Sequence, residues 1–215
     1  NQSLPTLEIP EGVTRIGDGA FYKNAALWSV KFPSTLTEIG NAAFAESSLI
    51  SVTFPDGLTR IGEGAFYKNL LDEVEIPSGV TVIELAAFAD NLLDSVKLPD
   101  GLTEIGDSAF EENYLTSVTI PDSVTRIGKW AFMKNRLSGV TIPDGITVIE
   151  EGAFAVNELA SVTWPAGLAE IGPNAFESNL LEDVTIPAGV TRIGQAAFIG
   201  NALKSVTLKD GLIEI

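Results

Sequence analysis

The stretch LTSVTIPDSVTRIGKWAFMKN, residues 115–135, decides the fold because close variants of it fill the whole chain. It opens with a short run in which apolar and polar residues alternate, a pattern typical of a β-strand with one buried face. Pro121 ends this run, since proline cannot donate to a strand ladder. A tight turn and a second extended segment follow, and Gly128 ends that segment. Ala131 and Phe132 then lie on a predicted short helical turn that fills the core.

The pattern returns at a nearly constant interval. The pair Ala-Phe occurs nine times, first after 23 residues and then always after 22. One unit of this length cannot bury its own apolar face, whereas stacked units bury each inward residue against its equivalent in the next turn. The recurring phenylalanines are Phe21, Phe44, Phe66, Phe88, Phe110, Phe132, Phe154, Phe176 and Phe198.

This repetition predicts one solenoid over residues 1–215, with nine to ten repeats of 22–23 residues. We expect an α/β-type, mostly β array that is right-handed, with a continuous parallel sheet formed by the L-x-x-V-x-I segments and short helical turns. Phe110 and Phe132 should be fully buried and stacked on each other. Asparagine closes eight of the nine units, and we expect this column to form a structural ladder, because its amide both donates and accepts hydrogen bonds.

The composition excludes several classes of function. The 13 basic and 29 acidic residues give a net charge of −16, which argues against nucleic-acid binding. The chain has no cysteine and no histidine, so thiolate metal sites and the commonest general base are missing. No apolar run approaches the roughly 20 residues that span a bilayer, so we expect no membrane insertion. We therefore expect no catalytic residues, no cofactor and no metal.

A longer period overlies the 22-residue repeat. The residue before the isoleucine of V-T-x-I follows a three-unit cycle, which indicates that the array grew by duplicating a 66-residue block. Because the chain begins and ends within a repeat, we expect a fragment of a longer array, with possible end-to-end self-association through the uncapped turn at residues 212–215. The cycle reads Arg60, Val82, Glu104, Arg126, Val148, Glu170, Arg192.

Three motifs carry a resemblance to a known family: L-x-x-V-x-I-P at residues 115–121, V-T-x-I-G at 124–128, and the following A-F. In these the chain resembles the BspA-like branch of the leucine-rich repeats over essentially its whole length. The resemblance implies a leucine-rich repeat array of the kind found in bacterial and protist cell-surface proteins that act in adhesion. It therefore implies an extracellular or cell-surface location. Many family members carry cysteine where this chain carries asparagine.

Positions that break the repeat and face solvent are the candidates for function. Trp130 replaces a small residue, and the most basic stretch of an acidic chain surrounds it. Exposed aromatic and arginine side chains are the usual anchors of interfaces. The predicted partner-binding residues are Tyr114, Lys129, Trp130, Met133, Lys134 and Arg136.

The other aromatic residues are weaker candidates. Trp164, Phe32 and Phe54 occupy the inward position that isoleucine holds in other units, so we assign them to the core. The remaining candidates for a contact are Tyr22, Tyr67 and Trp28.

Two functions remain open after this reasoning. The first is a non-catalytic binding or adhesion module that recognises a protein or a glycan. The alternative is a structural spacer within a large surface protein, which the 66-residue duplication favours. An ice- or crystal-binding surface is less favoured, because Glu73, Glu75 and Lys97 interrupt the rows of serine and threonine on the sheet. An enzyme is the least favoured.

Overall fold

The computed structural model describes residues 6–215 as a parallel β-solenoid in which most turns carry two short strands. Strands of the valine row come from the L-x-x-V-x-I segments: Thr6–Glu8, Ser29–Lys31, Glu73–Glu75, Ser95–Lys97, Gly139–Thr141, Ser161–Thr163, Asp183–Thr185 and Ser205–Thr207. Strands of the isoleucine row come from the V-T-x-I segments: Arg15–Ile16, Glu38–Ile39, Arg60–Ile61, Val82–Ile83, Glu104–Ile105, Arg126–Ile127, Val148–Ile149, Glu170–Ile171 and Arg192–Ile193. The predicted parallel solenoid is confirmed.

The valine row is less regular than predicted. Its strands pair in parallel but only two at a time, as Glu73–Glu75 does with Ser95–Lys97. The segment 117–119 forms no strand, so the expected continuous sheet is wrong for this row. Beside Phe32 and Phe54, whose rings stack 5.9 Å apart, the pairing shrinks to a single bridge between Ser29 and Ser51.

The isoleucine row shows the 66-residue period directly. Its strands form three separate three-stranded parallel sheets, and the breaks fall just before Val82 and Val148. Within a sheet the amide of Gly106 donates to the carbonyl of Ile83 at 2.8 Å. The equivalent amides of Glu84 and Glu150, where glycine is replaced, make no hydrogen bond among the described residues. The duplicated block is therefore also a unit of hydrogen bonding.

Tight turns surround each Ala-Phe pair, and residues 6–215 contain no helix. The expected short helical turns are therefore absent from this part of the chain. The reason lies in the backbone: Trp130 and Lys134 both have a positive φ, 55° in each case, and a right-handed helix cannot continue through such residues. The amides of Trp130, Phe132 and Lys134 instead donate to carbonyls of the next repeat at 2.9–3.0 Å.

The phenylalanine column forms the centre of the core. Phe110 and Phe132 are both fully buried, and their rings stack 5.6 Å apart with an interplanar angle of 11°. This confirms the expected stack. Each turn of the solenoid thus places one aromatic ring against its equivalents in the turns before and after.

The asparagine column also holds the fold, as predicted, but through backbone groups and not by bonding to itself. Asn135 is buried and its Nδ2 donates to the carbonyls of Phe110, at 2.9 Å, and Phe132, at 3.2 Å. Its Oδ1 accepts from the amide of Leu115 at 3.0 Å. Its Nδ2 also donates to the carbonyl of Met133 at 3.4 Å, so one amide side chain satisfies four backbone groups in two turns. The other buried members are Asn69, Asn91, Asn113, Asn157 and Asn179.

The aromatic residues assigned to the core lie at its margin. Phe32, Phe54 and Trp164 are partly buried and pack against the core cluster, and the Trp164 ring meets Phe176 edge-on at 5.3 Å. Within residues 6–215 no helix has the length and apolar character that a membrane crossing requires.

Candidate binding surface

Trp130 is exposed, with 37% of its surface accessible. It stands on the turn before the phenylalanine column, at a position that is otherwise Gly, Ala, Ser or Asn. Its indole lies over the α-carbon of Gly152 in the next repeat, since a Cβ added to Gly152 would lie 2.3 Å from the indole Cδ1. The ring therefore covers a glycine of the neighbouring turn and does not insert into the core.

Tyr114 and Arg136 form a pair on the surface. They occupy equivalent positions in adjacent repeats, and the guanidinium carbon of Arg136 lies 4.5 Å from the centre of the Tyr114 ring. Both side chains are exposed. A cation placed over an aromatic face is held by the quadrupole of the ring, so Arg136 is fixed in place by an aromatic residue.

The basic character expected around Trp130 is largely neutralised. Lys129 donates to Glu151 at 3.1 Å, and Lys134 forms an ion pair with Glu112. The hydrogen bond to Glu112, followed by the charge of that carboxylate, raises the pKa of Lys134. Of the three cations predicted to serve a partner, Arg136 alone has no carboxylate partner in the described part of the chain.

The six predicted residues therefore form two groups in the structure. Tyr114 and Arg136 are in direct contact, whereas Trp130 contacts Gly152. Met133 is half-buried, and its amide donates to the carbonyl of Trp130 at 3.0 Å. The turn at 128–134 joins Trp130 to the segment that carries Arg136.

A second surface feature extends the column of Tyr114 and Arg136 toward the N-terminus. Leu70 and Leu92 precede Tyr114 in the same column, and all three are exposed, by 39%, 44% and 41% respectively. We call these three residues the leucine stripe. The sequence already places these residues in one column at a spacing of 22 residues, and the structure shows that all three side chains are exposed.

Ion pairs between adjacent repeats hold most of the cations. Arg60 donates to Glu38 and to Glu84 at 2.8 Å in each case, and so crosses the first break in the isoleucine row. The hydrogen bond to Glu84 is the largest factor raising the pKa of Arg60. Similar pairs link Arg126 with Glu104. These contacts link the surfaces of neighbouring turns.

The valine row carries an open groove of about 880 Å³ where its strands separate. Thr53, Phe54 and Glu73 line it, together with the ion pair of Lys97 with Glu75. Residues 6–215 contain no cluster of three or more histidine, cysteine, aspartate or glutamate side chains suited to a metal ion. The groove offers mixed polar surface without a recognisable catalytic arrangement.

The stacked turns, the parallel strands and the columns of Leu, Asn and Phe define a leucine-rich repeat protein. The BspA type leucine rich repeat region, in six copies, matches residues 1–116 and 103–215, and the chain belongs to this family. No curated protein matches the chain.

Solved structures of the same kind support the fold. A leucine rich cell surface protein from Faecalibacterium prausnitzii is 27% identical, with a TM-score of 0.54 over 95% of this chain and 59% of that one. The pneumococcal vaccine antigen PcpA is 23% identical, with a TM-score of 0.64 over 96% of this chain and 62% of that one. A leucine-rich repeat protein from Eubacterium ventriosum is 23% identical, with a TM-score of 0.62 over 94% of this chain and 59% of that one.

The chain spans about 60% of the length of these three proteins. Leucine-rich repeat arrays of this family are in general not enzymes, and they are typical of protein-interaction and adhesion modules. Family membership thus suggests a protein-interaction or adhesion type of module.

Proposed function

We propose that this chain is a non-catalytic binding module of a secreted or cell-surface protein, and that it recognises a protein or a glycan. The proposal rests on two exposed groups, the indole of Trp130 and the Tyr114–Arg136 pair. The indole of Trp130 is not needed for the core, because small residues occupy the equivalent positions in other repeats. The Tyr114 and Arg136 side chains lie outside the core as well, since both are exposed. The cell-surface description of the Faecalibacterium prausnitzii protein supports the proposed location.

The chemistry of the surface supports such recognition. An indole offers a flat apolar face that stacks on sugar rings or on apolar side chains, and an arginine offers several donors in a fixed plane. The glycan and protein alternatives share this chemistry. A glycan array and a panel of purified extracellular-matrix proteins separate them, with binding followed by biolayer interferometry.

The decisive variant is the double substitution Trp130→Ala and Arg136→Ala. Alanine already occupies the Trp130 column at Ala42, Ala86 and Ala196, with φ between 50° and 56°, so the turn accepts it. We expect the variant to lose at least about tenfold in affinity for any partner found, or about 1.4 kcal/mol. Its melting temperature should stay close to that of the parent.

Val148→Ala serves as the control, because Val148 is also exposed by 37% but belongs to none of the candidate contact residues. An unchanged affinity of the double variant would sink the site. If neither the glycan array nor the protein panel yields a partner, a structural spacer becomes the better-supported function. The 66-residue block, visible in the three-stranded sheets of the isoleucine row, favours that second candidate.

A further inference from the structure

The surface beside the asparagine column has a regular geometry that the sequence does not show. In residues 68–72, 90–94 and 112–116, buried positions alternate with outward ones, as in a strand with one buried face. The amides of Leu70, Leu92 and Tyr114 each donate to a carbonyl of the preceding repeat at 2.9 Å. The leucine stripe is therefore held on a hydrogen-bonded backbone and presented in a fixed row.

The stripe is bounded along its length. Arg136 follows Tyr114 in the same column and covers part of its ring. Glu158 comes next, so the apolar run ends there. The three exposed apolar side chains stand in consecutive repeats and so form one row. Contiguous exposed apolar surface is a feature of interaction sites.

Carboxylates line both sides of the stripe. Asp72 faces outward two positions after Leu70. Leu92 has an aspartate on each side, with Asp90 two positions before it and Asp94 two positions after it. None of these three forms an ion pair with a lysine or arginine of residues 6–215. Lys68 supplies one positive charge, and Lys134 is engaged by Glu112. Around Leu70 and Leu92 these three carboxylates outnumber the single cation Lys68, so this part of the rim carries a net negative charge.

We propose that the leucine stripe docks a basic amphipathic helix of another protein. This inference rests on the proposed binding function and names the chemistry of the partner. Neighbouring turns lie about 4.8 Å apart, close to the 5.4 Å pitch of an α-helix. A helix lying along the array places one apolar residue per turn against Leu70, Leu92 and Tyr114. Lysine or arginine side chains flanking its apolar face then reach the carboxylates of the rim.

The test uses three labelled 18-residue peptides and fluorescence anisotropy in about 0.15 M salt. The first is a lysine–leucine peptide with one apolar stripe at helical spacing. The second has the same composition in scrambled order, and the third has glutamate in place of lysine. We expect the first to bind the chain at least about tenfold more tightly than either of the others, a difference of about 1.4 kcal/mol.

Variants locate the site on the chain. Leu92→Ser should weaken binding of the first peptide at least about fivefold, and serine already stands in this column at Ser48. Leu180→Ser is the matched control: Leu180 is exposed by 54% in the same column, but Glu158 and Ala202 flank it. Asp90→Asn with Asp94→Asn should also weaken binding, with a smaller effect at high salt.

Equal binding of the ordered and scrambled peptides overturns the proposal, as does an equal effect of Leu92→Ser and Leu180→Ser. Tight binding of the glutamate peptide overturns the charge argument and with it the proposal. These results leave the Trp130 and Arg136 measurement unaffected, because it uses different probes and different variants. The two proposals therefore fail separately.

Discussion

Phe132 shows how much of the stability depends on single residues of the repeated columns. Its ring is fully buried and stacks on Phe110 and Phe154 at 5.6 Å on each side. Phe132→Ala should lower the free energy of unfolding by about 3–5 kcal/mol, since it removes a ring and leaves a cavity in a packed column. Phe198→Ala is the control, because Phe198 is only partly buried and should cost less. A loss below about 1 kcal/mol for Phe132→Ala in urea denaturation would contradict the column's role.

Asn135 makes a sharper prediction, because its role is polar. Replacement by alanine leaves the buried amide of Leu115 and the carbonyls of Phe110 and Phe132 without their side-chain partner. We expect a destabilisation of about 1–3 kcal/mol. Asn24 holds the same place in the first unit but is exposed, so Asn24→Ala should cost less than about 0.5 kcal/mol. Equal effects of the two substitutions would show that the buried hydrogen bonds contribute little.

At the scale of the turn, Gly152 determines where the Trp130 indole lies. Alanine there would place its Cβ 2.3 Å from the indole Cδ1, so Gly152→Ala should displace the ring. Gly64→Ala is a matched control, because Gly64 has a similar φ of 57° but its nearest neighbour is the Tyr67 Cβ at 3.7 Å. In a Trp28→Phe, Trp164→Phe background, Gly152→Ala should shift Trp130 fluorescence to longer wavelength, whereas Gly64→Ala should not. An unchanged spectrum in both would contradict the packing described for the indole.

At the scale of the strand rows, the breaks in the isoleucine row predict local opening. The amides of Thr81 and Thr147 make no hydrogen bond among the described residues. By contrast, the amide of Thr103 donates to the carbonyl of Thr81 at 2.8 Å, and the amide of Thr125 donates to the carbonyl of Thr103 at 2.9 Å. Unbonded amides exchange faster, because they need no opening step. Hydrogen exchange resolved by NMR should therefore be faster at Thr81 and Thr147 than at Thr103 and Thr125. Uniform exchange across the four would contradict the three-repeat unit.

For the whole molecule, the solenoid and its core could be predicted because the same physical constraint recurs in every unit. Nine phenylalanines at one spacing admit only a stacked arrangement. The interruptions of the valine row could not be predicted, because they depend on small offsets between turns. The helical turns were wrong because the sequence does not reveal that Trp130 and Lys134 adopt positive φ.

The candidate surface was harder to predict than the fold. Column positions indicate that Trp130, Tyr114 and Arg136 face outward, and all three are exposed in the structure. Their role in binding a partner stays a prediction. The ion pairs of Lys129 and Lys134 did not follow, because each partner lies 22 residues away on the neighbouring turn. A lysine-rich stretch in the linear sequence therefore overstated the positive charge.

The central claim is that outward positions that break the repeat bind a partner, while the repeated columns only hold the fold. The most direct test is a hydrogen-exchange footprint of the chain saturated with a ligand found by the array or the panel. The claim predicts protection confined to residues 112–116 and 128–138, which contain Tyr114, Trp130 and Arg136. Protection of the valine row alone, or spread evenly over all repeats, would contradict it.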